Sequence, residues 1–275
     1  MSELGQGNIA KMRTQLVDGL VRYSLPLGAA QIDMSAMIGS VVKIEFAGVI
    51  NCVHCNRKTN KSFSQGYCYP CFQKLAQCDS CIVSPEKCHY FEGTCREPLW
   101  GEEHCLRDHI VYLSNTSALK IGITRGTQIP TRWIDQGAVQ ALPIFRVSNR
   151  LQSGLVETVF KAHVADKTSW QAMLKAEPEA KDMAAERDRL LAQCQPDIDA
   201  LVDRFGEASI EALQETETSI RFPVEQYPEK VKSFNLDKLR FAEGTLLGIK
   251  GQYLIFDTGV INMRKYGGYQ LRLSA

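Results

Sequence analysis

Nine of the chain's ten cysteines fall between Cys52 and Cys105, and their spacing has the arithmetic of metal ligation. Cys52 and Cys55 form one C-x2-C pair, Cys68 and Cys71 a second, and twelve residues separate the pairs. Each pair turns two thiolates to one side of a tight knuckle, and two knuckles close a tetrahedron around Zn²⁺. Four thiolates leave no open coordination position, so this site is expected to be structural. His54, inside the first knuckle, reads as a surface residue. Five cysteines follow, one more than a second four-thiolate site requires. The expected second set is Cys78, Cys81, Cys88 and Cys95, with Cys105, His104 or His109 as substitutes. The alternative is that the later cysteines are buried thiols without a metal.

A second group of residues could act on phosphate. Cleaving a phosphodiester needs a group that activates water, a cation on the phosphoryl oxygens and a carboxylate for a divalent metal. Tyr112, Arg132 and Glu157 could fill those roles, with Lys120 and Arg125 adding charge. The competing reading is structural: Tyr112 packs, Arg132 and Glu157 pair or are solvated, and Gly122 in Lys120-Ile121-Gly122-x-Thr124 marks a bulge. One carboxylate is a thin metal site.

These side chains need elements to hold them. Residues 110–113 and 119–123 read as a β-hairpin around the turn at 114–117. Pro130 opens a short helix carrying Arg132 and Trp133. Residues 141–147 read as a third strand, which Pro143 demotes towards an edge. A helix follows with Leu151, Leu155, Val156, Val159 and Phe160 on one stripe and Glu157 beside it. Between the first two knuckles, residues 61–67 read as a β-turn-β tongue, with Phe63, Tyr67, Tyr69 and Phe72 either exposed or forming a satellite core.

Around this middle, residues 1–20 read as a mobile or weakly helical start and residues 27–50 as β. Residues 177–217 read as two or three helices broken near Pro196 and Gly206, with Cys194 a small buried hydrophobe on one of them. Residues 219–275 return to short strands, suggesting a small barrel or meander in which 236–275 pairs with 27–50. The expected fold class is α+β in five segments. They are an N-terminal β segment (1–50), a cysteine-rich zinc-binding region with two sites (51–108), a hairpin/helix domain (109–175), an acidic helical segment (176–218) and a C-terminal β domain (219–275).

The net charge of +1 conceals a pattern. Residues 119–175 carry eight basic and three acidic side chains, whereas 176–218 carry four and twelve. The basic middle could meet phosphates, and the acidic segment could pair with it or be a solvated face. Residues 52–110 hold seven basic and seven acidic side chains, which favours braces over nucleic-acid readers for the zinc modules. No apolar run reaches the roughly 18 residues of a membrane helix, and the first residues have no apolar signal core. Thiolate-metal chemistry in a cytoplasmic protein is therefore expected over disulfides.

Residues 110–157 resemble the GIY-YIG nuclease superfamily. Ile110-Val111-Tyr112 and Lys120-Ile121-Gly122 stand where its two named tripeptides would, and Thr124, Arg132 and Glu157 follow in order. The resemblance implies that Tyr112 helps activate water, Arg132 binds phosphate and Glu157 ligates Mg²⁺ or Mn²⁺. Lys120 stands where that family usually has Tyr, and the first tripeptide lacks its Gly. Over nearly its full length the chain resembles a bacterial family, domain of unknown function 2797. The residues that carry this are 61–68, 93–102, 120–125 and 130–138. Within the last of these stretches Asp135 and Gln136 could line the same cleft. The expected function is nucleic-acid processing, as a metal-dependent phosphodiesterase or as a binding module on the same platform. A zinc-stapled protein-interaction scaffold is the third reading.

Overall fold

The computed structural model describes residues 1–164 and 169–275. The chain opens with strands, which corrects the mobile or weakly helical start expected of residues 1–20. β1 (Glu3–Asn8) precedes an antiparallel meander of β2 (Arg13–Val17), β3 (Leu20–Leu27) and β4 (Ala30–Asp33). Val21, Tyr23, Leu25 and Leu27 are buried in strict alternation, the period of a strand with one face on a core. β1 has little apolar content of its own and is ordered by a partner at the other end of the chain.

That partner is β15 (Tyr269–Ser274). The largest sheet runs β1-β15-β5-β12-β13-β14, with β5 spanning Val41–Asn51, β12 Phe241–Lys250, β13 Tyr253–Phe256 and β14 Gly259–Asn262. Residues from both ends of the chain, including Ile44, Leu254, Phe256 and Leu273, share one core. A short strand, β6 (Lys58–Thr59), extends from β5 into the cysteine region. There the expected β-tongue at 61–67 reduces to a single bridge between Phe63 and Tyr67. The ring of Phe63 lies 5.4 Å from Tyr69 and 5.5 Å from Phe72, so these aromatics form a small satellite cluster. The rest of the region is single turns with two short helices, α1 (Tyr69–Lys74) and α2 (Pro98–His104).

The second sheet follows. β7 (His109–Asn115) and β8 (Leu119–Arg125) form the hairpin, α3 (Thr131–Asp135) crosses over, and β9 (Gln140–Val147) pairs with the other side of β7. Then come α4 (Arg150–Lys161), α5 (Trp170–Met173) and α6 (Met183–Phe205). β10 (Ile210–Ala212) and β11 (Thr218–Ser219) add to β9, and α7 (Leu236–Leu239) leads into β12. The strand order is β10-β9-β7-β8. β9 is therefore not the edge that Pro143 suggested. β10 pairs with 145–147 and β11 with 140–141, so Pro143 falls in the gap between two short partners, beside Ile144, the extra residue β9 carries against β7. A residue without an N–H fits there.

β7 is buried along its whole length because both faces of this sheet are covered. Ile110 and Tyr112 point into the core of the terminal sheet, while Val111 and Leu113 pack under α4 and α6. On α4 the fully buried side chains are Gln152, Ser153, Val156 and Phe160, and Leu151, Leu155 and Val159 are only half-buried, which rotates the expected stripe. Buried Val156 and Phe160 are each worth about 1.5–3 kcal/mol as core contacts. α6 is one helix, where two or three were expected. Pro196 sits on its exposed side, while Leu190, Cys194 and Ile198 keep the opposite side on the core across the break in hydrogen bonding. Among the described residues no helix is long and apolar enough to cross a membrane.

Candidate functional site

The site is built on the hairpin. Antiparallel pairing sets Tyr112 directly opposite Gly122, and the register between the two strands runs without a shift. Gly122 is therefore not at a bulge. Paired residues project to the same face of a sheet, and the ring of Tyr112 crosses the place where a side chain would stand. A Cβ on Gly122 would lie 2.7 Å from the Cζ and Oη of Tyr112. Trp133 of α3 meets the ring edge-on at 5.9 Å, and the phenol donates to Oε1 of Gln136 at 2.8 Å. Burial pushes the phenol up to about 12, against the pull of the Arg132 guanidinium beside it. At neutral pH Tyr112 is thus a protonated, fully buried donor.

β8 is the edge strand of its sheet, and a cleft of about 430 Å³ runs along it. α3 closes one side with Arg132, Asp135 and Gln136; α4 closes the other with Glu157 and Lys161. Lys120, Gly122, Thr124 and Arg125 come from the strand itself. All the expected residues except Tyr112 therefore line one cleft, and Tyr112 lies behind Gly122 as its support. Four cationic side chains escaped the sequence reading: Lys11, Arg150, Lys161 and Arg264. Lys161 had a signal, since it lies four residues after Glu157 on a helix. Lys11 and Arg264 come from opposite ends of the chain and had none.

The charge of the cleft is lopsided, with seven cationic residues and two carboxylates on its lining. Asp135 is already engaged. Its side chain is 4% exposed, forms an ion pair with Lys11, accepts from Nε2 of Gln252 at 2.9 Å and has Arg264 at 3.9 Å. Glu157 remains, 13% exposed and paired with Lys161 at 3.2 Å. Burial raises its carboxyl above the usual range, while Lys161 and Lys120 work against that rise. Mg²⁺ is commonly held by one or two carboxylates together with substrate phosphates and waters. Glu157 fits such a part only alongside a phosphate, with Lys161 displaced from it.

The cysteine region forms the remaining wall through Ile82, Val83 and Pro85. Nη2 of Arg150 donates to the carbonyl of Ile82 at 2.6 Å. Gly154 of α4 lies against Pro85 and Glu86 so closely that a Cβ there would collide with their backbone. Elsewhere in the cysteine region, the sulfurs of Cys52, Cys55, Cys68 and Cys71 lie within 4.8 Å of one another and could hold a metal ion. Four sulfurs about 2.3 Å from a shared centre stand roughly 3.8 Å apart, and Sγ of Cys55 is 3.7 Å from Sγ of Cys68. Burial favours the neutral thiol of Cys52, but the backbone amides of Cys55, Cys68 and His54 outweigh it and bring the group down to about 6, whereas burial and the three neighbouring cysteines push the Cys71 thiol up.

The expected second ligand set is not assembled as written. Cys81, Cys88 and Cys95 line one small cavity, but Cys105 joins them and Cys78 does not. Cys78 lies within electrostatic reach of Cys52 instead. In the helical turn after Leu75, Ala76 and then Asp79 line the second cavity, but Cys78 between them does not. Of the substitutes, His104 stacks on Trp100 at 4.3 Å. His109 is buried and donates from Nδ1 to the carbonyl of Arg107 at 2.7 Å. Neither ring lines that cavity.

The family described as proteins of unknown function DUF2797 has a model that matches residues 39–271, and the chain belongs to that family. No curated protein matches the chain, and no solved structure does.

Proposed function

We propose that this member of the DUF2797 family binds the phosphodiester backbone of a nucleic acid in the cleft along β8 and cleaves it with Mg²⁺ or Mn²⁺ at Glu157. The observation that carries the reading is convergence. Arg132, Glu157 and Gly122, backed by Tyr112, sit on separate elements and meet at one cleft whose charged residues are mainly cationic. The order of hairpin, Arg-bearing helix and Glu-bearing helix resembles that of the GIY-YIG nucleases, which supports the same reading.

In this reading Arg132 and Lys120 hold the non-bridging oxygens of the phosphate, and Arg125 and Gln136 orient the strand. The carboxylate of Glu157 holds the divalent ion. When bound, that ion supplies positive charge to the oxygens that become anionic in the transition state. Tyr112 takes a different part from the one the family resemblance implies. A protonated phenol closed off from solvent does not abstract a proton from water; it holds Gln136 and packs beneath Arg132. Tyr112 is thus a positioning residue.

A second reading, binding without cleavage, is favoured by the ion pair that occupies Glu157 and by Lys120 in the place of a tyrosine. One assay separates the two. Labelled DNA and RNA are incubated with the protein and Mg²⁺ or Mn²⁺, with Glu157→Gln and Arg132→Ala beside the wild type. Metal-dependent cutting that falls about 100-fold or more in Glu157→Gln, with retention of the strand unchanged, supports cleavage. Salt-sensitive retention that Arg132→Ala weakens, with no cutting by any form, supports binding alone. Neither cutting nor retention removes both readings.

A further inference from the structure

The small cavity beneath the cleft wall has the donors of a second metal centre. Cys81, Cys88, Cys95 and Cys105 all line it, together with Asp79, His89 and mostly apolar neighbours, and it holds about 10 Å³, room for roughly one water-sized sphere. The spacing is regular, with six residues from Cys81 to Cys88 and six from Cys88 to Cys95. α2 closes the set. Sγ of Cys95 lies 3.4 Å from the Cβ position of Gly101, and the amide of Cys105 donates to the carbonyl of Gly101 at 2.7 Å. One helical turn thus brings the last cysteine beside the third. Cys81 and Cys105 are buried, and each is within electrostatic reach of Cys88.

We propose that Cys81, Cys88, Cys95 and Cys105 hold a second zinc ion, and that Cys78 is not a ligand. The four thiols would have to draw together around the ion, since the donor group here whose atoms already lie within 4.8 Å of one another is Asp79, Cys81 and His89. Its carboxylate is already committed. One oxygen of Asp79 accepts from the amide of Ser80 at 2.6 Å, and the other takes Nε of Arg96 at 2.8 Å. His89 places Nδ1 at 2.7 Å from the hydroxyl of Thr94 and Nε2 at 3.4 Å from Asp79. Asp79, His89 and Arg96 thus form a polar cluster beside Cys81.

The site has a structural consequence. Cys81 directly precedes Ile82, whose carbonyl receives Arg150 and whose side chain lines the cleft. Residues 82–87 follow as single turns with few buried apolar side chains, so ligands at both ends, Cys81 and Cys88, would fix the segment. Four thiolates suit zinc and leave no open position, so this ion orders the wall and does no chemistry.

The inference does not rest on the phosphodiester reading, because it is tested without nucleic acid. Zinc and iron are measured by mass spectrometry on the full chain purified under reducing conditions. Wild type should carry two zinc ions per chain. Cys95→Ser and Cys105→Ser should each retain one, while Cys78→Ser and His89→Gln retain two. Wild type with a single zinc, an iron centre, Cys105→Ser with two zinc ions, or Cys78→Ser with one would overturn the assignment. Where the cysteine variants do not fold, Co²⁺ is titrated into metal-free wild type. Two equivalents, each with the absorption of a tetrathiolate site, support the proposal. One equivalent, or a second with mixed nitrogen and sulfur ligation, refutes it.

Discussion

Gly122→Ala is the sharpest test of the geometry at the hairpin. The new methyl would stand 2.7 Å from Cζ and Oη of Tyr112 and 3.0 Å from Cε2. The ring has nowhere to retreat. Tyr112 is fully buried, Trp133 meets it at 5.9 Å, and its phenol is tied to Gln136 at 2.8 Å. Two kinds of relief exist. Shifting backbone and ring together is overpacking, which costs about 1–3 kcal/mol. Swinging the ring away strands a buried hydroxyl, which also costs about 1–3 kcal/mol. Either route lowers the melting temperature by roughly 2–12 °C, at about 2–4 °C per kcal/mol in a chain of this size class. Gly126→Ala is the control. Nothing lies within 4 Å of its Cβ position, so its change should stay within about 0.5 kcal/mol. Thermal melts of the two variants and wild type decide the matter. Because Gln136 and Arg132 move with the ring, Gly122→Ala should also weaken retention of nucleic acid. A Gly122→Ala protein that melts with wild type and with Gly126→Ala would refute the seating of Tyr112 on this glycine.

Further expectations follow from ionisation and from the thiols. The folded carboxyl of Glu157 lies above its unfolded value, so its contribution is full below the unfolded carboxylate pKa and lost as pH rises through the folded one. The stability of Glu157→Gln relative to wild type should therefore rise between pH 4 and pH 7, and a flat or falling difference in melting temperature contradicts the buried placement. His109 behaves oppositely: burial holds its folded pKa at about 4, so its contribution is present above the ordinary pKa of about 6.5 and lost as pH falls towards 4. At about 1.4 kcal/mol per unit the ceiling is about 3 kcal/mol, and His109→Gln should lack that part of the acid limb in urea titrations at pH 4 to 7. Cys52→Ser should release the first knuckle. Limited proteolysis should then cut between residues 56 and 66 several-fold faster than in wild type, and an unchanged cutting rate would mean that no metal orders this segment.

How legible the site was depended on how local its residues are. The hairpin, the Arg-bearing helix and the Glu-bearing helix were readable because each announces itself within about ten residues by alternation, Pro130 or an apolar stripe. The four knuckle cysteines were readable for the same reason. Residues 1–20 were misread because β1 is ordered by β15, a partner more than 250 residues away. Pro143 and Pro196 misled in a common way. Each removes one N–H, which rules out a local hydrogen bond but not an element whose neighbours leave that position unpartnered. C-x2-C spacing favoured Cys78 for the second set, whereas Cys78 does not line the cavity that Cys81, Cys88, Cys95 and Cys105 share, a difference made by tertiary packing that local spacing does not carry. Lys11 and Arg264 reach the cleft only through tertiary packing.

The tertiary packing also says what the cysteine region does for the cleft. Its charge is balanced, so it offers no basic stripe of its own. Instead each cluster ends in a contact that positions a cleft cation. From the first cluster, Oε1 of Gln65 accepts from Nε of Arg264 at 2.6 Å, and Gly267 has no side chain where the carbonyl of Gln65 approaches. From the second, the carbonyl of Ile82 receives Arg150, and Gly154 lets residues 85–86 sit directly on α4. Arg264 in turn approaches Asp135, which Lys11 and Gln252 tie to the two terminal β segments. Removing order from either cluster would therefore alter the spacing of cations in the cleft before it altered any surface that meets a strand directly. A brace of this kind accounts for a metal-ligand pattern, in a region whose own charge is neutral, lying next to a cleft rich in cations.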